Sequence, residues 1–153
     1  MPELPEIEIV KRSLIKMINK ARIIDIKIKN KNLRYKIPNN FYNHLINEKI
    51  IKISKKSKYL ILHFKTKILL IHFGMTGKFL VLKNKSKKLF KTSFYYDLNI
   101  LPKHNHIHFF LSGGITLIYN DVRRFGFIKL YKNKKISDIK HISKLGLEPF
   151  SKK

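Results

Sequence analysis

Residues 50–82 read IIKISKKSKYLILHFKTKILLIHFGMTGKFLVL, and the fold is decided here. Four apolar runs, 50–54, 58–64, 68–73 and 78–82, are separated only by Lys-Lys-Ser, Lys-Thr-Lys and Gly-Met-Thr-Gly. Each run is too short for a stable helix, is rich in Ile, Leu and Phe, and is bounded by turn formers, so each reads as a β-strand. Downstream, 107–111 and 115–119 are joined through Ser112-Gly113-Gly114, a two-glycine hairpin signal, and a last strand, 127–131, follows Arg123-Arg124-Phe125-Gly126. Upstream, Ile24, Ile26 and Ile28 alternate with Asp25, Lys27 and Lys29, which predicts a half-buried strand. The chain opens differently. From Glu6 to Ile18, apolar residues fall at Ile7, Val10, Leu14, Met17 and Ile18, a helical spacing with Lys11, Arg12 and Lys16 left on the wet side. A short second helix is expected over 41–46, a loop over 30–40, and a long lysine-rich loop over 83–104. The expected fold is mostly β with helices: a two-layer β-sandwich flanked by an N-terminal helix and a short second helix, in one domain covering 1–153.

The 153 residues are 44% hydrophobic, with 11 Phe and 7 Tyr, enough for a real core. There is no Cys, which removes disulfides, thiolate zinc sites and cysteine nucleophiles. No apolar run reaches transmembrane length, and acids stand where a signal peptide would carry bases, so an intracellular, cytoplasmic location is expected. The net charge is +25, from 34 Lys and Arg against 9 Asp and Glu. A field of that size favours a polyanion, and nucleic acid is the first partner to consider. Only 5 of the 34 bases are Arg, and Ile and Asn are abundant, so an AT-rich coding bias accounts for part of the charge.

The first residues, Met1-Pro2-Glu3-Leu4-Pro5-Glu6, allow two readings. One is a plain helix start, with Pro5 at a position whose N–H would be unpaired anyway. The other is chemical. Removal of Met1 leaves Pro2 as a secondary amine at the N-terminus, where an α-amino group titrates near ~8 and is far more available as a nucleophile than a lysine. Glu3 and Glu6 then supply carboxylates beside it for acid–base work.

Four other places invite a chemical reading. Lys58 opens a strand, where a lysine usually just snorkels. Met75 stands on the tight turn His72-Phe73-Gly74-Met75-Thr76-Gly77, and it either fills a core gap or, on a loop tip, wedges between bases. In Asp121-Val122-Arg123-Arg124-Phe125-Gly126, two of the five arginines stand together beside an aromatic. Arginine supplies bidentate contacts and flat stacking that lysine cannot, so this loop suits entry into a duplex; equally, it is a charged turn with Asp121 paired to an Arg. His104, His106 and His108 alternate and would share one strand face, but no carboxylate or second ligand cluster accompanies them, so no metal is assigned.

Six motifs, in order along the chain, together resemble formamidopyrimidine-DNA glycosylase: Pro2-Glu3-Leu4-Pro5-Glu6, Ser57-Lys58-Tyr59-Leu60, His72-Phe73-Gly74-Met75-Thr76-Gly77, Lys103-His104-Asn105-His106, Asp121-Val122-Arg123-Arg124-Phe125-Gly126 and Leu145-Gly146-Leu147-Glu148-Pro149. Val122 stands where the family usually has Pro, and Thr76 where it usually has Ser. The resemblance implies base-excision repair of oxidised purines such as 8-oxoguanine and ring-opened formamidopyrimidines, with strand cleavage at abasic sites. It implies Pro2 as the nucleophile that forms an iminium with the sugar, Glu3 as acid–base partner, Glu6 holding the sugar or amine, and Lys58 assisting β-elimination. Met75, Arg123 and Phe125 would fill the gap left by a flipped nucleotide, with His104 on the DNA backbone and Arg124 in the same DNA-binding set.

The family's second half, a helix–two-turn–helix clamp and a zinc finger with four Cys, has no counterpart in 1–153. The resemblance therefore implies no cofactor in this chain, the family's zinc site lying in that other part, and an impaired activity for these residues alone. The expected partner is double-stranded DNA with a damaged base or abasic site, bound by a monomer associated with a bacterial nucleoid and not with a membrane. A separately encoded C-terminal half is a further candidate partner. Two alternatives stand beside the enzyme: a non-catalytic basic DNA-binding module, and a decaying remnant.

Overall fold

The computed structural model of the chain describes residues 4–92 and 101–132. Pro2, Glu3 and the Leu145–Pro149 motif lie outside the described residues. Within them the order is α1 (Leu4–Ile18), β1 (Ile23–Ile28), α2 (Phe41–Leu45), β2 (Lys52–Lys56), β3 (Tyr59–His63), β4 (Lys67–His72), β5 (Gly77–Lys83), β6 (Lys88–Lys91), a 3-10 turn (Pro102–His104), β7 (Asn105–Leu111), β8 (Ile115–Asp121) and β9 (Phe127–Lys132). The strands form a five-stranded sheet, β1-β7-β8-β5-β6, and a four-stranded sheet, β2-β3-β4-β9, antiparallel throughout. This is the two-layer β-rich fold expected from the alternating runs. No helix among the described residues is long and apolar enough to cross a membrane.

The core lies between the sheets and is floored by the two helices. Ile7, Val10, Leu14 and Ile18 bury the inner stripe of α1, and Phe41 and Leu45 bury that of α2. On the outer side of α1, Glu8 bridges Lys11 at 3.1 Å and Arg12 at 2.7 Å. Such exposed pairs contribute well under about 1 kcal/mol each, whereas each buried aliphatic side chain contributes about 1.5–3 kcal/mol. The apolar stripe holds this helix in place. Phe73, Phe79 and Tyr119 interlock at the centre, with Phe73 edge-on to Phe79 at a centroid distance of 5.5 Å.

Five local expectations are corrected. Ile24 does not point inward: the pairing of β1 with β7 slips between Ile23 and Asp25, and this bulge buries Ile23 and leaves Ile24 about half exposed. Residues 50 and 51 precede β2 instead of opening it, because Ile50 is tied to the α1–β1 connection through Lys20 N–H to Ile50 C=O and Ile50 N–H to Ala21 C=O. Lys58 does not open β3; it shares with Ser57 the two-residue turn between β2 and β3, across which Lys56 faces Tyr59. The lysine-rich 83–104 stretch contains an edge strand, β6, and a 3-10 turn. Finally, β7 bulges at His106, since Asn105 pairs with Asn120 but Ile107 with Tyr119, so the three alternating histidines do not share a face.

Candidate nucleic-acid interface

Besides the β1–β2 connection through α2, the chain crosses between the two sheets twice more, and both of these crossings lie at one place. The β4–β5 connection, residues 73–76, leaves the four-stranded sheet, and the β8–β9 connection, residues 122–126, returns to it. On one side of the passage His72 faces Phe127; on the other, Gly77 faces Asp121. The two strands of chain thus run antiparallel and in register through both sheets, and only these two loops interrupt their pairing. Whatever the loops carry is held at the ends of four paired strands.

Asp121 closes the passage. It is fully buried, and each of its carboxylate oxygens accepts two hydrogen bonds. Oδ1 takes them from the Thr76 hydroxyl (2.5 Å) and the Arg124 N–H (3.0 Å), and Oδ2 from the Tyr119 hydroxyl (2.9 Å) and the Gly126 N–H (3.0 Å). A buried carboxylate is tolerable only when its lone pairs are satisfied in this way. Tyr119 has its pKa raised well above the ordinary phenol value, first by burial and then by the neighbouring carboxylate, so it stays protonated and donates. The Asp121 carbonyl accepts from His106 Nε2 at 2.6 Å, which employs the bulged histidine inside the fold.

Steric demand fixes the same passage. Gly74 has φ of +59°, and a Cβ there would lie 2.7 Å from the Gly126 nitrogen, so the two loops touch backbone to backbone. A Cβ on Gly126 would fall on the Tyr119 hydroxyl. His72 accepts the Gly74 N–H on Nδ1 at 3.0 Å and stacks on Phe127, fixing the root of the first loop.

On this base the structure brings together three of the residues singled out in the sequence. Met75 is 55% exposed and Phe125 46%, both at loop tips. Arg123 lies between them: its Nη1 is 3.5 Å from Met75 Sδ, and its Cζ sits 4.9 Å from the centre of the Phe125 ring. The Arg123 N–H is held by Thr76 Oγ1 at 3.0 Å. The result is a thioether, a flat cation and an aromatic ring stacked on adjacent tips. Such a surface matches the faces of nucleobases and can fill space inside a base stack.

The other candidates are more dispersed. Arg124 has φ of +58° and turns away from Arg123, and its Nη1 reaches the Asn32 carbonyl at 3.4 Å. Its neighbour in space is the 30–38 loop, whose Arg34 N–H bonds to the Gly126 carbonyl at 3.1 Å. Three of the five arginines therefore gather here, while Arg12 is engaged by Glu8 and Arg22 by the Asn47 carbonyl. Glu6 lies in the first turn of α1, on the helix that packs against β2 and β3, and Lys58 sits in the turn joining those strands. Two residues on from Glu6, Glu8 approaches Lys55 of β2 to 4.0 Å. His104 is partly exposed in the 3-10 turn. Half-buried His108 lies on β7 opposite Lys27; burial, then Lys29 and Lys27, keep its pKa below the usual imidazole value. Among the described residues no three His, Asp or Glu side chains could hold a metal ion.

Sequence reasoning assigned Asp121 at most to an arginine partner; it binds no guanidinium among the described residues and anchors both loops instead. Thr76 and Tyr119 were not singled out as functional. A signal was present: Gly77 and Gly126 flank the passage, and the Asp and Thr occur where each strand ends.

The sequence profile of the formamidopyrimidine-DNA glycosylase N-terminal domain matches residues 1–128. The chain belongs to this family. Formamidopyrimidine-DNA glycosylase of Methylorubrum extorquens is 34% identical over 153 residues, covering 99% of this chain and 51% of that protein. The enzyme of that name from Bartonella tribocorum is 36% identical over 156 residues, covering 99% and 52%. The chain spans about half the length of the curated relatives it matches. Among solved structures, Lactococcus lactis Fpg in complex with abasic-site DNA is similar with a TM-score of 0.70 and 29% identity, over 86% of this chain and 44% of that one. The same Lactococcus lactis protein in complex with DNA containing N7-benzyl-Fapy-dG gives the same score, identity and coverage. In this family domain the 73–76 and 122–126 loops present exposed Met75, Val122 and Phe125 beside Arg123.

Proposed function

We propose that the chain is the nucleophile- and wedge-bearing part of a DNA glycosylase and abasic-site lyase that removes oxidised purines. The observation that carries the reading is the stack of Met75, Arg123 and Phe125 on adjacent tips, anchored by Asp121. Chemistry at the anomeric carbon needs a nucleotide turned out of the duplex, and side chains that occupy its vacated place lower the cost of turning it out. The Pro2 nitrogen attacks C1′, and the glycosidic bond breaks with its electron pair leaving on the base, which takes up a proton. Loss of the amine proton and opening of the sugar ring give an iminium. Removal of a C2′ proton then expels the 3′ phosphate by β-elimination. Glu3 exchanges protons with these centres, Glu6 holds the sugar or amine, and Lys58 assists the elimination. His104 contacts the DNA backbone, and Arg124 belongs to the same DNA-binding set.

The test is borohydride reduction in the presence of abasic-site DNA. A covalent protein–DNA adduct is expected, and it should vanish in Pro2→Gly and in a protein whose amine is blocked by an added N-terminal residue. Trapping that survives the block assigns the nucleophile to a lysine. The +25 charge favours a second reading, a non-catalytic DNA-binding module; tight binding with no adduct under any condition selects it.

A further inference from the structure

We propose that Thr76 and Asp121 form a clasp that makes one wedge of two loops, and that both are positioning residues for the insertion of Met75 and Arg123 into a duplex. This inference rests on the DNA-lesion reading above and extends it to residues that would not touch DNA. Thr76, at the end of the first loop, places both of its side-chain hydrogen bonds on the second connection. Its hydroxyl donates to Asp121 Oδ1 at 2.5 Å and accepts the Arg123 N–H at 3.0 Å, while its backbone carries Met75 as the preceding residue. A hydroxyl that donates and accepts at once sets the distance between the loops, since neither bond can lengthen without loosening the other.

The loops differ in length, four residues against five. Without a cross-tie the longer loop has slack, and Arg123 is the residue that would take it up. With the tie, the Arg123 backbone is pinned at the first loop, and its guanidinium is confined between Met75 Sδ and the Phe125 ring. Behind it, the Tyr119 hydroxyl and the Gly126 N–H hold the other carboxylate oxygen, so the carboxylate cannot turn away from Thr76. A duplex that resists entry meets a wedge whose parts cannot separate.

The experiment uses the full chain and two duplexes, one plain and one with a tetrahydrofuran abasic analogue opposite 2-aminopurine. Thr76→Val keeps the shape and removes both hydrogen bonds; Thr76→Ser keeps the hydroxyl. Thr76→Val should lose about tenfold in affinity for the abasic duplex, the scale of one or two hydrogen bonds, along with most of the 2-aminopurine fluorescence rise. Its affinity for plain duplex and its salt slope should stay at the wild-type values, and Thr76→Ser should restore the lesion signal. Tyr119→Phe, which removes one donor from the same carboxylate within the core, should shift the lesion signal in the same direction, and covers the case in which Thr76→Val does not melt cooperatively. A wild-type lesion preference that survives both substitutions, or an equal loss on both duplexes, overturns the clasp alone. A wild-type protein without any lesion preference overturns the wedge reading, and the clasp with it.

Discussion

Asp121 surrenders its hydration entirely and recovers it from four protein donors, two at each oxygen. Asp121→Ala would strand the Tyr119 hydroxyl and two backbone N–H groups in a buried passage. Each unmet buried group costs about 1–3 kcal/mol, so a loss on the order of 3–5 kcal/mol in unfolding free energy is expected by denaturant titration. Arg123→Lys keeps the charge and removes the flat fork that lies on Phe125, so binding to duplexes with a flipped or missing base should weaken more than binding to plain duplex. Equal weakening in a paired titration would make Arg123 an ordinary phosphate contact. The histidines predict an acid limb. His63 has its pKa lowered by burial and then by Lys52, and His108 is lowered likewise. As pH falls through about 6.5 the unfolded chain takes up protons that the folded one resists, so stability present above that pH declines below it. His63→Gln should flatten the decline in denaturant midpoints measured between about pH 7.5 and 5.5. Why did Asp121 escape the sequence reading? In one dimension it stands beside two arginines; Tyr119, two residues back, reaches it because alternation along β8 puts both side chains on one face, and Thr76 comes near only when β5 pairs with β8.

At the scale of elements, periodicity was legible where burial enforces it. The four runs within 50–82 correspond to β2 through β5, and the Ser112-Gly113-Gly114 signal is the turn between β7 and β8, with Gly113 and Gly114 both at positive φ. The inner stripe of α1 was readable because Ile7, Val10, Leu14 and Ile18 bury it without interruption. Leu14→Ala removes the middle of that stripe and should cost about 2–5 kcal/mol, measured as a lowered melting midpoint with helix and sheet lost together. What failed to show has a common cause, pairing partners distant in sequence. The bulges in β1 and β7 are slips against a neighbouring strand, and nothing in Ile23-Ile24-Asp25 or Asn105-His106-Ile107 announces them. Edge strand β6, 88–91, carries a lysine at its start, Lys88, a charge that disfavours further pairing at a sheet edge, and its sequence resembles that of a solvated loop.

For the whole molecule, charge and coverage set the expectations. A net charge of +25 predicts DNA affinity that falls steeply with salt, each neutralised phosphate contributing about −0.9 to the log–log slope. Excision asks for alignment as well, and a misplacement of about 1 Å can cost a hundredfold in rate. The chain corresponds to about half of each relative's length. This polypeptide assayed by itself is therefore expected to nick abasic-site DNA detectably and to release little 8-oxoguanine, since an abasic site leaves no base to extrude or recognise. Efficient 8-oxoguanine release under the same conditions would place the recognition apparatus within these residues.

The double passage between the sheets has a mechanical consequence. Both loop tips stand at strand ends, so a base stack that pressed back on them would load β4, β5, β8 and β9 along their lengths. Force in that direction strains all the rungs of each ladder in parallel instead of peeling them apart one by one. Thrust on the tips would be borne by both layers of the sandwich at once, since β4 and β9 belong to one sheet and β5 and β8 to the other.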